Sequence, residues 1–116
     1  LYMNRLYEFY LSLLPDPECA AAATDAALCE LLTGGATTVV DLGMPYPGWA
    51  DRLAAGGIRA YVAPLFQSAR WHMPSGHEVR YTWDEAAGEK GLEAGVALVE
   101  AARKHPSGRI DGLLAP

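Results

Sequence analysis

One pattern recurs along this chain and limits the folds that it can adopt. Small turn residues precede a β-branched or apolar run, which ends in a polar residue or proline, and each unit follows a stretch that favours a helix. The pattern is written GGATTVVDLG at residues 34–43, GGIRAYVAP at 56–64 and SGRIDGLLAP at 107–116. Strands that alternate with helices imply parallel strands joined by right-handed crossovers. The repeat therefore predicts an α/β fold built on a parallel sheet.

Helices are predicted where apolar residues recur at helical spacing or where alanine dominates. These segments are residues 4–14, 17–33, 49–55 and about 84–105. The apolar runs between them predict strands at residues 37–42, 58–63 and 110–115. The first of these runs is apolar without alternation from Val39 on, which is typical of strands covered on both faces.

Local signals also predict how the helices begin and end. Asp16 is one candidate N-cap, and either Thr82 or Asp84 is another. Gly34 is expected to take the left-handed conformation that often ends a helix. We expect the last helix to bury the face formed by Leu92, Val96, Val99 and Ala102.

The connection after the second predicted strand is unusually long. It covers residues 65–83, whereas a strand and the next helix are usually joined by about two to six residues. In parallel α/β folds, long connections after the carboxyl ends of strands build the ligand site. We therefore place the candidate substrate-binding residues here: Gln67, Arg70, Trp71 and His72.

These side chains suit a flat polar ligand, because aromatic rings can stack on it and Arg or Gln can form planar pairs of hydrogen bonds. The same connection also carries His77, Arg80, Tyr81 and Trp83. The alternative is a loop folded over the rim of the fold with its tryptophans as packing anchors, and both interpretations stay open here. The spacing of the two histidines suits no helix or strand face and no third ligand is near, so we predict no metal site.

Three other titratable residues carry expectations. Asp41 lies one residue inside the end of an apolar strand, where a carboxylate needs a hydrogen bond or a charge partner. It is expected either to point toward an active site at the centre of a barrel or to accept hydrogen bonds from the following turn, and the structural role is favoured. His105 is expected to be solvated at a helix C-terminus, and Asp111 to be solvated or ion-paired.

Composition argues against two classes of partner. The chain has 116 residues, a net charge of −5 and a pI near 5.0, and it has no basic run, so we expect no nucleic-acid partner. Its apolar runs are shorter than the roughly 20 residues that cross a membrane. Cys19 and Cys29 fit no metal spacing; we expect both to be buried on one helix, and they favour a reducing, cytoplasmic location.

The residues themselves contain no catalytic signature. The chain shows no nucleophile elbow, no phosphate-binding glycine loop and no pair of catalytic carboxylates. The glycines of GEKGLEAG at residues 88–95 lie inside a predicted helix rather than after a strand. The residues alone therefore predict that the chain forms part of the wall of a pocket, and they point to no reaction.

Three stretches resemble the central part of the amidohydrolase superfamily, above all its metal-dependent deaminase and chlorohydrolase branch. They are LLTGGATTVVDL, AAGGIRAYVAPLF and GLEAGVALVEAARKHPSGRIDGLLAP, and the resemblance spans essentially the whole chain. It implies a segment of a (β/α)8 TIM-type barrel, about strands two to four with their helices. Residues 1–116 would then be a partial metal-dependent hydrolase barrel domain.

The resemblance also implies a reaction. In this family a divalent metal, zinc or iron, activates the water that breaks a C–N or C–Cl bond of a small N-heterocycle or cyclic amide. The metal-binding motifs of the family fall outside this sequence, so we assign no metal ligand and no catalytic residue to it. Gln67, Arg70, Trp71 and His72 would orient the substrate. The complete enzyme would be a homo-oligomer, expected to be a dimer.

A barrel of this kind takes about 250 residues, and three parallel strands cannot close it. We therefore expect the chain to be one piece of a larger protein. The residues expected to lack neighbours from the other strands are Val40, Tyr61, Val62 and Leu114. Two alternatives stay open: a small α/β module that binds a ligand at residues 65–83 without catalysis, or an inactive structural remnant completed by a partner.

Overall fold

The computed structural model describes residues 17–72, 74 and 78–116. In chain order its elements are α1 (Pro17–Thr33), β1 (Thr38–Gly43), α2 (Trp49–Ala55), β2 (Arg59–Pro64), β3 (Ala69–His72), β4 (Arg80–Trp83), α3 (Glu85–Arg103) and β5 (Ile110–Gly112). Strands β1, β2 and β5 form a parallel sheet in that order, and β3 pairs with β4 in a separate antiparallel ribbon. The prediction of an α/β fold with a parallel sheet is confirmed. The predicted helix at residues 4–14 and its neighbour Asp16 lie outside the described residues.

The order of the parallel strands places the crossover helices on one side of the sheet. Thr38 of β1 lies beside Arg59 of β2, and Ala60 of β2 lies beside Ile110 of β5. Each crossover moves to the next strand in the same direction, so right-handed connections put α2 and α3 on the same face. Strand β5, the third of the parallel sheet, is shorter than predicted, although a further bridge joins Leu65 to Ala115 beyond it.

The core lies between this face of the sheet and the helices. Leu53, Ile58 and Val62 are among its largest fully buried side chains, and α1 contributes Leu28. Burying apolar area of this kind is the main favourable term in folding. Two contacts then fix α1 in place. Arg52 of α2 forms an ion pair with Asp25 of α1. The hydroxyl of Tyr46, in the segment before α2, donates to Thr24 Oγ1 of α1 at 2.8 Å. The core of the described chain is therefore one cluster on one side of the sheet.

The helix ends agree with the predictions except at one glycine. Asp84 is the N-cap of α3, since its side chain accepts a hydrogen bond from the Ala87 N–H at 2.9 Å. The left-handed residue after α1 is Gly35, with φ 87°, and not Gly34 as predicted. The helix ends at Thr33 as expected, but the backbone reverses one residue later than the sequence suggested.

The buried face of α3 was only partly predicted. Val99 and Ala102 are buried as expected, but Leu92 and Val96 are exposed. Gly88 and Gly95 take their places on the buried side. A Cβ built at Gly88 would lie 2.5 Å from Ser68 Cβ, and one at Gly91 would lie 2.6 Å from Phe66 Cβ. The prediction failed because α3 packs through a stripe of glycines, Gly88, Gly91 and Gly95, which have no apolar side chain that would mark a buried face in the sequence.

The opposite face of the sheet is uncovered within the described chain. Val40 and Leu42 are 55% and 59% exposed, and Tyr61 and Leu113 are exposed as well. Val40 and Tyr61 were predicted to lie on such a face. Val62 was placed there wrongly: it follows Tyr61, points to the opposite side as alternate strand residues do, and is buried in the core.

Leu114 is 46% exposed, as expected for a residue that lacks neighbours, but it lies on the other face. Its Cδ2 atom lies 3.4 Å from the position of a Cβ built on Gly95 of α3, so this side chain points toward the helices. Its neighbour Leu113 belongs to the uncovered face instead. The error arose because the strand register, which decides the face of each residue, is not visible in an unbroken apolar run.

Two further findings concern the helices. Cys19 and Cys29 both lie on α1, but both are exposed, so the prediction that they are buried is wrong. Among the described residues, no helix combines the length and the apolar character needed to cross a membrane.

Candidate functional site

The long connection between β2 and α3 contains a β-hairpin rather than a plain loop. Its strands β3 and β4 pair in antiparallel register from Ala69 beside Trp83 to His72 beside Arg80. The sequence prediction treated residues 65–83 as one irregular excursion and missed these strands. A signal was present, because ARWH and RYTW both alternate apolar or aromatic residues with polar ones, as strands with two different faces do.

The base of the hairpin is fixed to the carboxyl ends of the parallel strands. The Leu65 N–H donates to the Gly43 carbonyl at 3.0 Å, and the Phe66 N–H donates to the Ala115 carbonyl at 3.3 Å. The Asp84 N–H closes the hairpin by donating to the Ser68 carbonyl at 2.8 Å. The hairpin therefore stands at the sheet edge where parallel α/β proteins place their ligands.

The glycine stripe of α3 explains how this segment can approach the helix so closely. Phe66 and Ser68 occupy the space that side chains at Gly91 and Gly88 would fill. Glycine in the interior of a helix costs about 1 kcal/mol relative to alanine. That cost is offset here by the packing of the hairpin base against α3.

Alternation along β3 and β4 gives the hairpin two unlike faces. Residues directly opposite each other in an antiparallel pair share a face. One face therefore carries aromatic rings, and the other carries polar and basic side chains. The aromatic face consists of Ala69, Trp71, Tyr81 and Trp83, and the polar face consists of Arg70, His72, Arg80 and Thr82.

This division separates the predicted substrate-binding residues. Arg70 and His72 are exposed and share the polar face, whereas Trp71 is half-buried on the aromatic face. Gln67 is exposed and precedes β3, close to the anchored base. Arg70 and His72 can therefore contact one ligand together, but Trp71 cannot stack on the same ligand from the same side of the hairpin. His77 lies outside the described residues.

Two residues that were not chosen as site residues complete the polar face. Arg80 lies beside His72, and Thr82 lies beside Arg70. Arg80 also forms an exposed ion pair with Glu78, with 3.1 Å between Nη2 and Oε2. Pairs of this kind contribute little to stability, so the Arg80 guanidinium can exchange Glu78 for a ligand at small cost. The face offers guanidinium, imidazole and hydroxyl groups to a polar molecule.

On the aromatic face of the hairpin, the two rings contributed by β4 are exposed. Tyr81 and Trp83 are tilted neighbours, with ring centroids separated by 6.3 Å and planes at 35°. Trp83 is 69% exposed. Tilted aromatic pairs at such distances attract each other weakly, so the pair holds its arrangement while leaving both rings open to further contact.

Asp41 serves the fold rather than the hairpin. It lies on the helix-facing side of β1, and its Oδ2 accepts a hydrogen bond of 2.6 Å from the Trp49 indole N–H. The prediction of a structural role is confirmed, but the partner is a side chain of α2 and not the backbone of the following turn. The alternative orientation toward the centre of a barrel is wrong, because alternate residues such as Val40 and Leu42 occupy the other face.

His105 is less exposed than expected. Its side chain is only 12% exposed, with Nε2 3.1 Å from Asp51 Oδ1 and Nδ1 2.8 Å from Ser107 Oγ. The Ser107 N–H donates to Nδ1 at 3.2 Å, so Nδ1 is an acceptor and the Nε2 proton faces Asp51. These three residue types also occur in hydrolytic triads, but here Ser107 Oγ already accepts from the Arg109 N–H. We interpret the group as a tie between α2 and the turn before β5.

Asp111 is ion-paired, which confirms one of the two expectations for it. Its Oδ1 accepts hydrogen bonds from the Gly112 N–H at 2.7 Å and from Arg103 Nε at 2.9 Å. The backbone hydrogen bond from Gly112, with help from Arg103, lowers the pKa of this carboxyl below its usual range. Asp111 is therefore ionised at neutral pH, at the opposite end of the sheet from the hairpin.

A metal centre does not form from the residues that the structure describes. Over residues 17–72, 74 and 78–116, no three His, Cys, Asp or Glu side chains are grouped so that they could hold an ion. His72 stands beside Arg80, and a neighbouring positive charge is unfavourable for a cation. These residues therefore do not fit a bound divalent metal.

A scan against protein-family models, a search of curated proteins and a search of solved structures each found no match to this chain.

Proposed function

We propose that this chain is part of a metal-dependent hydrolase of the amidohydrolase type, acting on a C–N or C–Cl bond of a small N-heterocycle or cyclic amide. In this proposal residues 1–116 are a segment of a (β/α)8 barrel, about strands two to four with their helices. The hairpin at Ala69–Trp83 would form one wall of the substrate site. The resemblance of the three repeated stretches to that superfamily is the first support.

The observation that carries the proposal is the one-sided covering of the parallel sheet. All crossover helices pack on one face, while the other face keeps Val40, Leu42, Tyr61 and Leu113 exposed. Barrels of this type have helices outside and apolar side chains inside, so a barrel segment would have this distribution. A doubly wound sheet would carry helices on both faces.

The position of the hairpin is the second support. Catalytic and binding residues of such barrels come from the connections at the carboxyl ends of the strands. The hairpin follows β2 at that end, and its base is hydrogen-bonded to Gly43 after β1 and to Ala115 after β5. The exposed Arg70 and His72 on its polar face would orient a ligand held above the strands.

The chemistry of these groups suits a planar polar substrate. A guanidinium donates two parallel hydrogen bonds to ring nitrogen or carbonyl acceptors, and imidazole can donate or accept. The chain would therefore bind and orient the substrate rather than break its bond. The described residues do not fit a metal site, so the metal ligands would belong to other residues of the complete protein.

The decisive experiment is kinetic. The complete protein, loaded with zinc or iron, is assayed for release of ammonia or chloride from a panel of aminated and chlorinated N-heterocycles and cyclic amides. For a substrate that is turned over, Arg70→Ala should lower kcat/KM by about 10- to 100-fold, the loss expected for a hydrogen bond from a charged group. Metal content, measured by elemental analysis, should not change, because Arg70 is not a ligand.

Lys90→Ala is the matched control, since Lys90 is an exposed cation on α3. It should leave kcat/KM unchanged. No turnover of any panel member by the metal-loaded protein would exclude the proposed reaction. Turnover that Arg70→Ala leaves intact would keep the reaction but remove the polar face of the hairpin from the substrate site.

A further inference from the structure

A second polar region lies at the amino ends of the parallel strands, opposite the hairpin. It is a cleft of about 540 Å³. Its polar lining consists of Thr38, Arg59, Tyr61, Arg103, Arg109 and Asp111. The cleft thus gathers three arginines and a single carboxylate, in a chain whose net charge is −5.

The strand register brings two of the arginines together. Ala60 pairs with Ile110, and the Ala60 N–H donates to the Arg109 carbonyl at 3.0 Å. Arg59 and Arg109 therefore lie side by side along the backbone, each one residue before the stretch over which β2 pairs with β5, and both line the cleft. Like charges so placed repel each other. An anion between them would reverse that repulsion into attraction.

The carboxylate of the cleft is already engaged. Asp111 accepts from Arg103 Nε and from the Gly112 N–H, and its lowered pKa fits a carboxylate held in the ionised form. Arg103 and Asp111 thus neutralise each other. The positive charges of Arg59 and Arg109 remain in excess.

One of these guanidinium groups is held in place by the backbone. Arg109 Nη2 donates to the Ala54 carbonyl at 2.9 Å. A guanidinium has five N–H donors, so this contact orients the group and leaves donors for a ligand. Holding a guanidinium in advance reduces the conformational entropy lost on binding.

We propose that this cleft binds the oxyanion of a small molecule, a phosphate or carboxylate group, through Arg59 and Arg109. The hydroxyl groups of Thr38 and Tyr61, which line the same cleft, are additional donors. Guanidinium pairs match the geometry of both oxyanions. The site is separate from the hairpin and does not depend on the proposed hydrolase function.

The sequence carried a signal for this site. In GGIRAYVAP and SGRIDGLLAP an arginine stands soon after the glycine turn, with Ile58 between Gly57 and Arg59, and with Arg109 directly after Gly108. Because parallel strands start at the same edge, residues near the start of each stretch come close together. Only the register, however, shows that Arg59 and Arg109 are adjacent.

The test is calorimetric titration of the purified protein at constant ionic strength, first with inorganic phosphate and then with acetate. Saturable binding of one of them is expected, and the tighter of the two identifies the oxyanion class. Arg59→Gln should weaken that binding about tenfold, the loss expected for a charge-assisted hydrogen bond. Arg59 is exposed, so the variant should keep the melting temperature of the wild type.

Lys90→Gln is the matched control, since Lys90 is an exposed cation on α3 outside the cleft, and it should bind as the wild type does. Arg109→Gln provides a second loss variant, with circular dichroism used to check that it is folded, since Arg109 also holds Ala54. The proposal is overturned if neither anion binds saturably, if Arg59→Gln binds as tightly as the wild type, or if Lys90→Gln loses as much affinity as Arg59→Gln.

Discussion

The two faces of the parallel sheet are built from the same strands but have opposite environments. On one face Ala60, Val62 and Ile110 are buried beneath α2 and α3. On the other, Val40 and Tyr61 are exposed although they belong to equally apolar stretches. Contiguous apolar surface that is left open can mark a contact with another protein element. An apolar stretch of sequence therefore does not reveal which face of a strand this chain buries.

A matched pair of substitutions, one on each face, should show the greatest difference in unfolding free energy. Leu53→Ala removes a core side chain that is 1% exposed, and it should cost about 2–5 kcal/mol of unfolding free energy. Leu42→Ala on the uncovered face should change it by less than about 0.5 kcal/mol in the 116-residue chain. Urea unfolding followed by circular dichroism measures both.

The same two substitutions test the barrel proposal when they are introduced into the complete protein. If further strands cover the open face there, Leu42→Ala should cost about as much as other buried leucines, again about 2–5 kcal/mol. A cost that stays near zero in the complete protein would show that the face remains open. Equal costs for both variants in the 116-residue chain would contradict the one-sided core described above.

A middle-sized effect is expected where α3 meets the covered side. Gly88→Ala would place a Cβ 2.5 Å from Ser68 Cβ and 2.9 Å from Ser68 Cα, so backbone must move. Overpacking of this kind costs about 1–3 kcal/mol, which should exceed the gain in helix propensity. Thermal melting of the variant should show a lower midpoint.

Gly95→Ala is the control on the same helix. Its added Cβ would lie 3.4 Å from Leu114 Cδ2, an ordinary contact at the end of a side chain. This variant should be neutral or more stable by up to about 1 kcal/mol, because alanine favours the helix. Equal destabilisation by both changes would mean that the glycine stripe is not needed for close packing at Ser68.

The smallest effect concerns Asp111 at the edge of the uncovered face. Its folded-state pKa is lowered first by the hydrogen bond from the Gly112 N–H and then by Arg103. A lowered pKa means that the carboxylate stabilises the fold above its unfolded pKa of about 3.9 and loses this contribution as the pH falls through the folded value. Asp111→Asn should therefore be slightly less stable than the wild type at pH 7, with the difference shrinking below about pH 4.

Arg103→Gln distinguishes the two causes of that shift. It removes the ion pair and keeps the Gly112 hydrogen bond, so part of the pH dependence should remain. Urea unfolding at several pH values measures the difference for each variant. If the unfolding free energies of the wild type and of Asp111→Asn differ by the same amount at pH 3 and at pH 7, the pKa of this carboxylate is not lowered in the folded state.

The place of the candidate site in the fold was predictable, but the arrangement of its side chains was not. The length and composition of residues 65–83 indicated a functional connection at the carboxyl ends of the strands, and the hairpin stands there. The pairing of β3 with β4 then puts Arg70 and His72 on one face and Trp71 on the other. Side chains adjacent in sequence are separated in this way because a strand alternates its two faces. The prediction that these residues form one binding set assumed that residues 65–83 are an irregular loop.

Local signals in the sequence were sufficient to predict the alternation of helices and parallel strands, because glycine turns, helix-forming runs and β-branched runs act over a few residues. They also indicated the cap at Asp84 and the long insertion after β2. Three features became visible only in the packed fold: the buried face of α3, the partner of Asp41 and the neighbouring backbone positions of Arg59 and Arg109. These depend on strand register and on how closely two backbones approach, and both are set by contacts between residues far apart in the chain.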